Sequence, residues 1–123
     1  HKEGMDAIAE AMKTRWFTPG FNQSNPAEVK RITDQVREAT VEGYTACCAA
    51  LRDMDQREAI KSISNPVLVV IGANDIATTP AMGEIMVQNI PGANKAVIPG
   101  SHIANVESPD AYNKVVSTFL GDA

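Results

Sequence analysis

An α/β fold is predicted, in the order helices, then strand–helix–strand–helix, on three observations. Apolar residues recur at spacings of three and four through the first 60 or so positions, the period of helices with one buried face. At Ser64-Asn65-Pro66 the period changes, and Val67-Leu68-Val69-Val70-Ile71 is a continuous aliphatic, mostly β-branched run, the pattern of a strand in a parallel sheet buried on both faces. Beyond it, Thr79-Pro80 and Ser108-Pro109 each place a capping residue before a proline at the first helical position.

Taken in chain order, Met5, Ile8, Ala9, Met12 and Trp16 predict a helix from about Asp6 to Arg15. Phe17-Thr18-Pro19-Gly20 breaks it. Asn25-Pro26 restarts the pattern, with Glu28 placed to reach back to the cap, and Val29, Ile32 and Val36 form the next stripe. A third helix, Val41 to Arg52, is expected to turn Tyr44, Cys47, Cys48 and Leu51 inward, and Met54-Asp55 leads to a short turn through Glu58-Ala59-Ile60. After the first strand, a helix runs from Pro80 through Met82, Ile85, Met86 and Val87 to about Asn89, and Pro91-Gly92 closes it. The second strand covers about Asn94 to Ile98. The last helix presents Tyr112, Val115, Val116, Phe119 and Leu120 to the core and stops at Gly121. Two parallel strands are too few for a stable sheet, so a segment preceding this chain or a second copy is expected to pair with the Val67–Ile71 edge.

Composition excludes several function classes. With 44% apolar and 21% charged residues the chain reads as a soluble globular domain, and no apolar run approaches the roughly 20 residues needed to span a bilayer. A net charge of −4 with scattered lysines and arginines lacks the basic patch that nucleic acid requires. Without a secretory signal pattern, the expected compartment is the cytoplasm. Cys47 and Cys48 are adjacent in a helical stretch, which argues against a disulfide between them, and no Cys or His pair at ligand spacing supports a metal site. Packing is the default reading for both thiols. The chain opens at His1 and its first dozen residues already have helical periodicity, which suggests a truncation, a cleavage product or one part of a longer protein.

The residues with chemical potential are Asp75 and His102. Each follows a strand-like run and leads towards a helix, and in parallel sheets catalytic groups collect beyond the carboxyl ends of the strands. Alone, Asp75 reads as a turn or capping residue and His102 as a loop histidine. Together they supply a base and the carboxylate that fixes its tautomer, and acid before histidine near the C-terminus is the α/β-hydrolase order. The nucleophile elbow G-x-S-x-G is absent, and Ser24, Ser62, Ser64, Ser101, Ser108 and Ser117 read as caps, turns or surface. Trp16 is either core or the apolar wall of a pocket. Arg15 beside it reads as a solvated residue or an anion contact, and Glu107 as a capping or loop-fixing group.

Three stretches carry a resemblance: Arg15-Trp16-Phe17-Thr18-Pro19; Gly43-Tyr44-Thr45-Ala46-Cys47-Cys48-Ala49-Ala50-Leu51-Arg52-Asp53 with Asp55 and Arg57; and Pro66 to Ile71 leading to Asp75, with His102 beyond. The chain resembles the C-terminal half of 3-oxoadipate enol-lactonases, α/β-hydrolases of the β-ketoadipate pathway of aromatic degradation. The resemblance implies a partial α/β-hydrolase fold, in which residues 1–64 form a helical cap and 65–123 the last strand–helix–strand–helix of the core. It puts Asp75 on the triad acid, His102 on the general base and Trp16 on a substrate-facing cap position, and it implies no metal or organic cofactor. The family's serine elbow has no counterpart here, so the chain alone is expected to be inactive. Two rivals stand beside this reading: another α/β-hydrolase esterase or cofactor-free perhydrolase, and a non-catalytic fragment that self-associates.

Overall fold

The computed structural model describes residues 4–121, so His1 lies outside the described residues. Helix α1 spans Gly4–Trp16, α2 Pro19–Ser24, α3 Pro26–Glu38 and α4 Val41–Asp53, and a 3-10 turn follows at Ala59–Ser62. Strand β1 (Leu68–Gly72), helix α5 (Pro80–Asn89), strand β2 (Asn94–Ile98), the single-turn helix α6 (Ala104–Glu107) and helix α7 (Pro109–Leu120) complete the order. The helix-then-sheet division expected from the change of period is present.

Helices α1 and α3 pack on one another. Met5, Ala9 and Met12 of α1 and Val29 and Thr33 of α3 are buried between them, so spacings of three and four deliver one apolar seam. Thr33 is tolerated there because its hydroxyl donates to the Val29 carbonyl at 2.9 Å. At the rim Arg37 draws together Asp6, Glu10 and Asp34. The expected break after Trp16 is shorter than the sequence suggested, because Thr18 caps α2 with its hydroxyl and Pro19 takes the first helical position. Asn25 then serves as both the end of α2 and the start of α3, its N–H donating to the Phe21 carbonyl. It makes no side-chain cap, and Glu28 reaches Arg31 at 2.8 Å instead of reaching back, so the expected capping box is not formed. Thr79 and Ser108 likewise occupy cap positions without side-chain capping bonds, leaving proline as the effective start signal of α5 and α7.

Helix α4 forms where its period predicts, but its apolar side does not face inward. Cys47 and Cys48 are exposed and Leu51 is 65% exposed, because no other element packs extensively on this helix. On α5, Met82, Ile85 and Met86 are exposed in the same way. Periodicity records that a face is apolar; it does not say that this stretch of chain covers it.

Strands β1 and β2 run parallel with Leu68 opposite Asn94 and Gly72 opposite Ile98. Val69 and Ile71 are buried while Leu68 and Val70 are half-buried, so the run alternates rather than being covered equally on both faces. Helices α5 and α7 both pack on β1, and α7 also on β2. Gly121, at φ 90°, closes α7 by donating its N–H to the Ser117 and Thr118 carbonyls. Among the described residues the second edge of β1 carries no strand, and no helix is long and apolar enough to cross a membrane.

Candidate functional site

The parallel register decides where chemistry can gather. Gly72 and Ile98 are opposed at the strand ends, so the two following loops leave the sheet on the same side and are stitched together. Ala73 N–H donates to the Ile98 carbonyl and Asn74 N–H to the Gly100 carbonyl, each at 2.9 Å. The approach is so close that a Cβ on Gly72 would stand 2.2 Å from the Ser101 carbonyl oxygen, which only glycine avoids.

Asp75, three residues past β1, is 7% exposed. Its Oδ1 accepts from the N–H groups of Ala77 (2.7 Å) and Thr78 (2.9 Å), the hydrogen-bonding of an Asx turn. Its Oδ2 accepts from the Thr78 hydroxyl at 2.7 Å and lies 2.9 Å from His102 Nδ1. The turn-forming and histidine-orienting readings of this residue therefore use different oxygens and hold at once. Burial pushes the Asp75 carboxyl up, but hydrogen bonds from His102, from the Thr78 hydroxyl and from the two backbone N–H groups outweigh it and hold the group below its ordinary 3.8.

An ionised carboxylate only accepts, so His102 Nδ1 carries the proton in this pair and Nε2 presents a lone pair. The His102 side chain is 32% exposed. An imidazole held in this tautomer can take a proton from a hydroxyl or a water. Trp16 stacks on it, with ring centroids 6.4 Å apart and planes 24° from parallel. The sequence-predicted trio Asp75, His102 and Trp16 is thus brought together by three separate segments. Arg15 is exposed, and its carbonyl rather than its guanidinium meets the histidine loop, accepting from Ser101 Oγ at 3.5 Å.

No serine competes for the role of nucleophile near this ring among the described residues with assigned hydroxyl contacts. Ser101 is buried and donates to the Asn74 carbonyl at 3.2 Å, away from its neighbour's imidazole, while Ser24, Ser62 and Ser117 donate to carbonyls within their own helical turns. Two groups take larger parts than the sequence indicated. Thr78 lies 3.2 Å from His102 Nδ1 as well as on Asp75, and the spacing Asp75-x-x-Thr78 was the signal available for it. Glu107 accepts from the N–H groups of both Thr18 and Ser101, a loop-fixing role across a long sequence separation.

Asp75, Thr78 and His102 border a cavity of about 260 Å³ that continues over Val69–Ile71 to Met82, Met86 and Tyr112. That is slightly under the 300 Å³ or so at which small-molecule sites usually begin. A roomier groove among α1, α2 and α3, about 470 Å³ and lined by Phe17, Pro26 and Val29, has no paired acid and base; its Lys13 is tied to Glu10. Among the described residues no three His, Cys, Asp or Glu side chains gather as metal ligands.

Against known proteins, the chain is 40% identical over 119 residues to 3-oxoadipate enol-lactonase 2 of Acinetobacter baylyi, covering 97% of this chain and 45% of that protein. The chain is a homologue of 3-oxoadipate enol-lactonases. The enol-lactonase 1 of the same organism is 32% identical over 117 residues, covering 95% and 44%. In three dimensions the chain superposes on the enol-lactonase from Burkholderia xenovorans LB400 with a TM-score of 0.93 at 39% identity, covering 97% of this chain and 46% of that one. An esterase from Thermogutta terrifontis, solved with malate bound, follows at a TM-score of 0.89 and 26% identity over 98% and 45%. No family model matches the sequence. The expected fold class is therefore present as a partial α/β-hydrolase, and the chain spans about half the length of the curated enol-lactonases it matches.

The Asp75 carboxyl also sets a pH dependence of stability. Because its folded value lies below 3.8, its contribution is complete above 3.8 and is lost as the pH falls through the lower folded value. Thermal midpoints measured from neutral pH downward should fall in that acid window, and Asp75→Asn should flatten this part of the curve. An unchanged acid limb in Asp75→Asn would show that the carboxylate is not held as described.

Proposed function

We propose that this chain supplies the acid, Asp75, and the base, His102, of a serine-type carboxylic-ester hydrolase that opens an enol-lactone in the β-ketoadipate pathway of aromatic degradation. The carrying observation is the buried Asp75 carboxylate 2.9 Å from His102 Nδ1. In this reading residues 1–64 are the cap, residues 65–123 the end of the hydrolase core, and Trp16, stacked on His102, a substrate-facing residue of the cap. The nucleophilic serine is contributed by a further segment, which also covers the second edge of β1 and the exposed sides of α4 and α5. The chain by itself is inactive. A cytoplasmic location and a small lactone as ligand, with neither nucleic acid nor membrane as partner, accompany the proposal.

The chemistry balances with side chains and water alone. The serine oxygen bonds to the lactone acyl carbon as its proton passes to His102 Nε2, and Asp75 stabilises the imidazolium. Cleavage of the acyl C–O bond expels an enolate oxygen, which takes the proton from Nε2; the enol then becomes a ketone. Water attacks the acyl-serine with Nε2 accepting its proton, and that proton returns to the serine oxygen as 3-oxoadipate leaves. No metal or organic cofactor enters these steps.

The test is to produce the chain joined to, or together with, the remaining portion of an enol-lactonase relative and to follow loss of 3-oxoadipate enol-lactone beside a panel of simple esters. The proposal expects turnover that favours the enol-lactone and none from the chain alone. Equal or better turnover of simple esters would favour the esterase or perhydrolase alternative, and the similarity to the Thermogutta esterase speaks for the esterase form of it. A stable homo-oligomer without hydrolysis under any pairing would favour self-association of the free β1 edge.

A further inference from the structure

We infer that Glu107 is a positioning residue that clamps the end of α1 to the histidine loop, so that the placement of Trp16 and the aim of His102 are set together. The inference rests on the reading of His102 as the base and extends it to what orients the site from the helical side. The two oxygens of one half-buried carboxylate are divided between two segments far apart in sequence. Oε1 accepts from Thr18 N–H, just past α1, and Oε2 from Ser101 N–H at 3.1 Å, the residue immediately before His102. Between these anchors lie the Trp16–His102 stack and a backbone bond from Ile103 N–H to the Trp16 carbonyl at 3.2 Å. The loop is shaped to admit the carboxylate. Gly100 stands at φ 116°, and a Cβ there would meet Glu107 Oε2 at 3.0 Å and Ala104 Cα at 3.1 Å.

Charge-assisted bonds from two backbone N–H groups are about twice as strong as neutral ones, and a carboxylate accepts both without reorienting. A glutamine at this position has one carbonyl oxygen and one NH2 group, so it satisfies at most one of the two donors and sets an N–H against the other. Glu107→Gln is therefore a nearly isosteric way to open one side of the clamp.

Trp16 is the chain's single tryptophan, so its emission reports directly on the ring stacked against it. Contact with an imidazole alters an indole's emission, so at one fixed pH the parent's emission should differ from that of His102→Gln. In Glu107→Gln with unchanged far-ultraviolet circular dichroism, the emission should move from the parent's towards that of His102→Gln as one anchor of the clamp is lost. Emission identical to the parent's in that variant would overturn the clamp, as would a parent spectrum indifferent to His102→Gln. Should Glu107→Gln fold poorly, amide exchange in the parent decides: Thr18 and Ser101 N–H must both be protected, and rapid exchange of either overturns the inference. Absence of hydrolysis in the reconstituted protein with the His102-dependent emission difference intact would count against the proposed reaction and leave the clamp standing.

Discussion

Replacing Asp75 by asparagine should lower kcat of the reconstituted hydrolase about ten-thousand-fold while leaving KM near its parent value, because the amide can turn its NH2 towards Nδ1 and select the wrong imidazole tautomer. Asp75 Oδ2 accepts from both His102 Nδ1 and the Thr78 hydroxyl, so an asparagine nitrogen placed there meets two donors and an oxygen placed there carries no charge. His102→Ala should cost at least as much, since it removes the proton acceptor itself. The two losses should not add, because the residues act as one unit. Steady-state kinetics on both variants and on the pair would show this. A decrease of less than about tenfold in either single variant, an effect of under about 1.4 kcal/mol on the barrier, would exclude the pair from the chemistry.

Phe17→Ala is expected to have the largest effect on stability. Phe17 is 1% exposed, stacks on Phe21 with centroids 5.5 Å apart and planes 10° from parallel, and sits between Trp16, which stacks on His102, and Thr18, whose N–H donates to Glu107. Truncating a buried phenylalanine costs about 3–5 kcal/mol. That is a large share of the 5–15 kcal/mol or so that a domain commands, and this chain leaves several apolar faces uncovered. The urea midpoint should fall accordingly, with Phe17→Leu intermediate. A change of under about 1 kcal/mol would mean that this ring is not the anchor of the α1–α2 corner.

These two residues show what a sequence does and does not disclose. The meeting of Asp75 with His102 is legible because each follows a strand-like run, and parallel strands in register send their following loops to the same side of the sheet. Strand β2 and helix α5 match the expected bounds, since proline at the first helical position and Pro91-Gly92 at the far end are local signals. Phe17 was hidden in what read as a break, because Thr18-Pro19-Gly20 supplies a cap and a first turn as readily as a loop, and α2 is only six residues long. The inward reading of Cys47, Cys48 and Leu51 failed for a different reason. An apolar face records a partner, and the enol-lactonase relatives have more than half their length beyond the part this chain matches. Glu107 and Thr78 acquire their roles from contacts between separate loops, which no local spacing shows in full.

The most direct test of the account is the tautomer of His102, read from the ring nitrogen shifts of 15N-labelled chain at a pH where the imidazole is neutral. The account predicts a proton on Nδ1, coupled to the Asp75 carboxylate and shifted in Asp75→Asn, with Nε2 unprotonated. A proton found on Nε2, indifferent to Asp75→Asn, would contradict it.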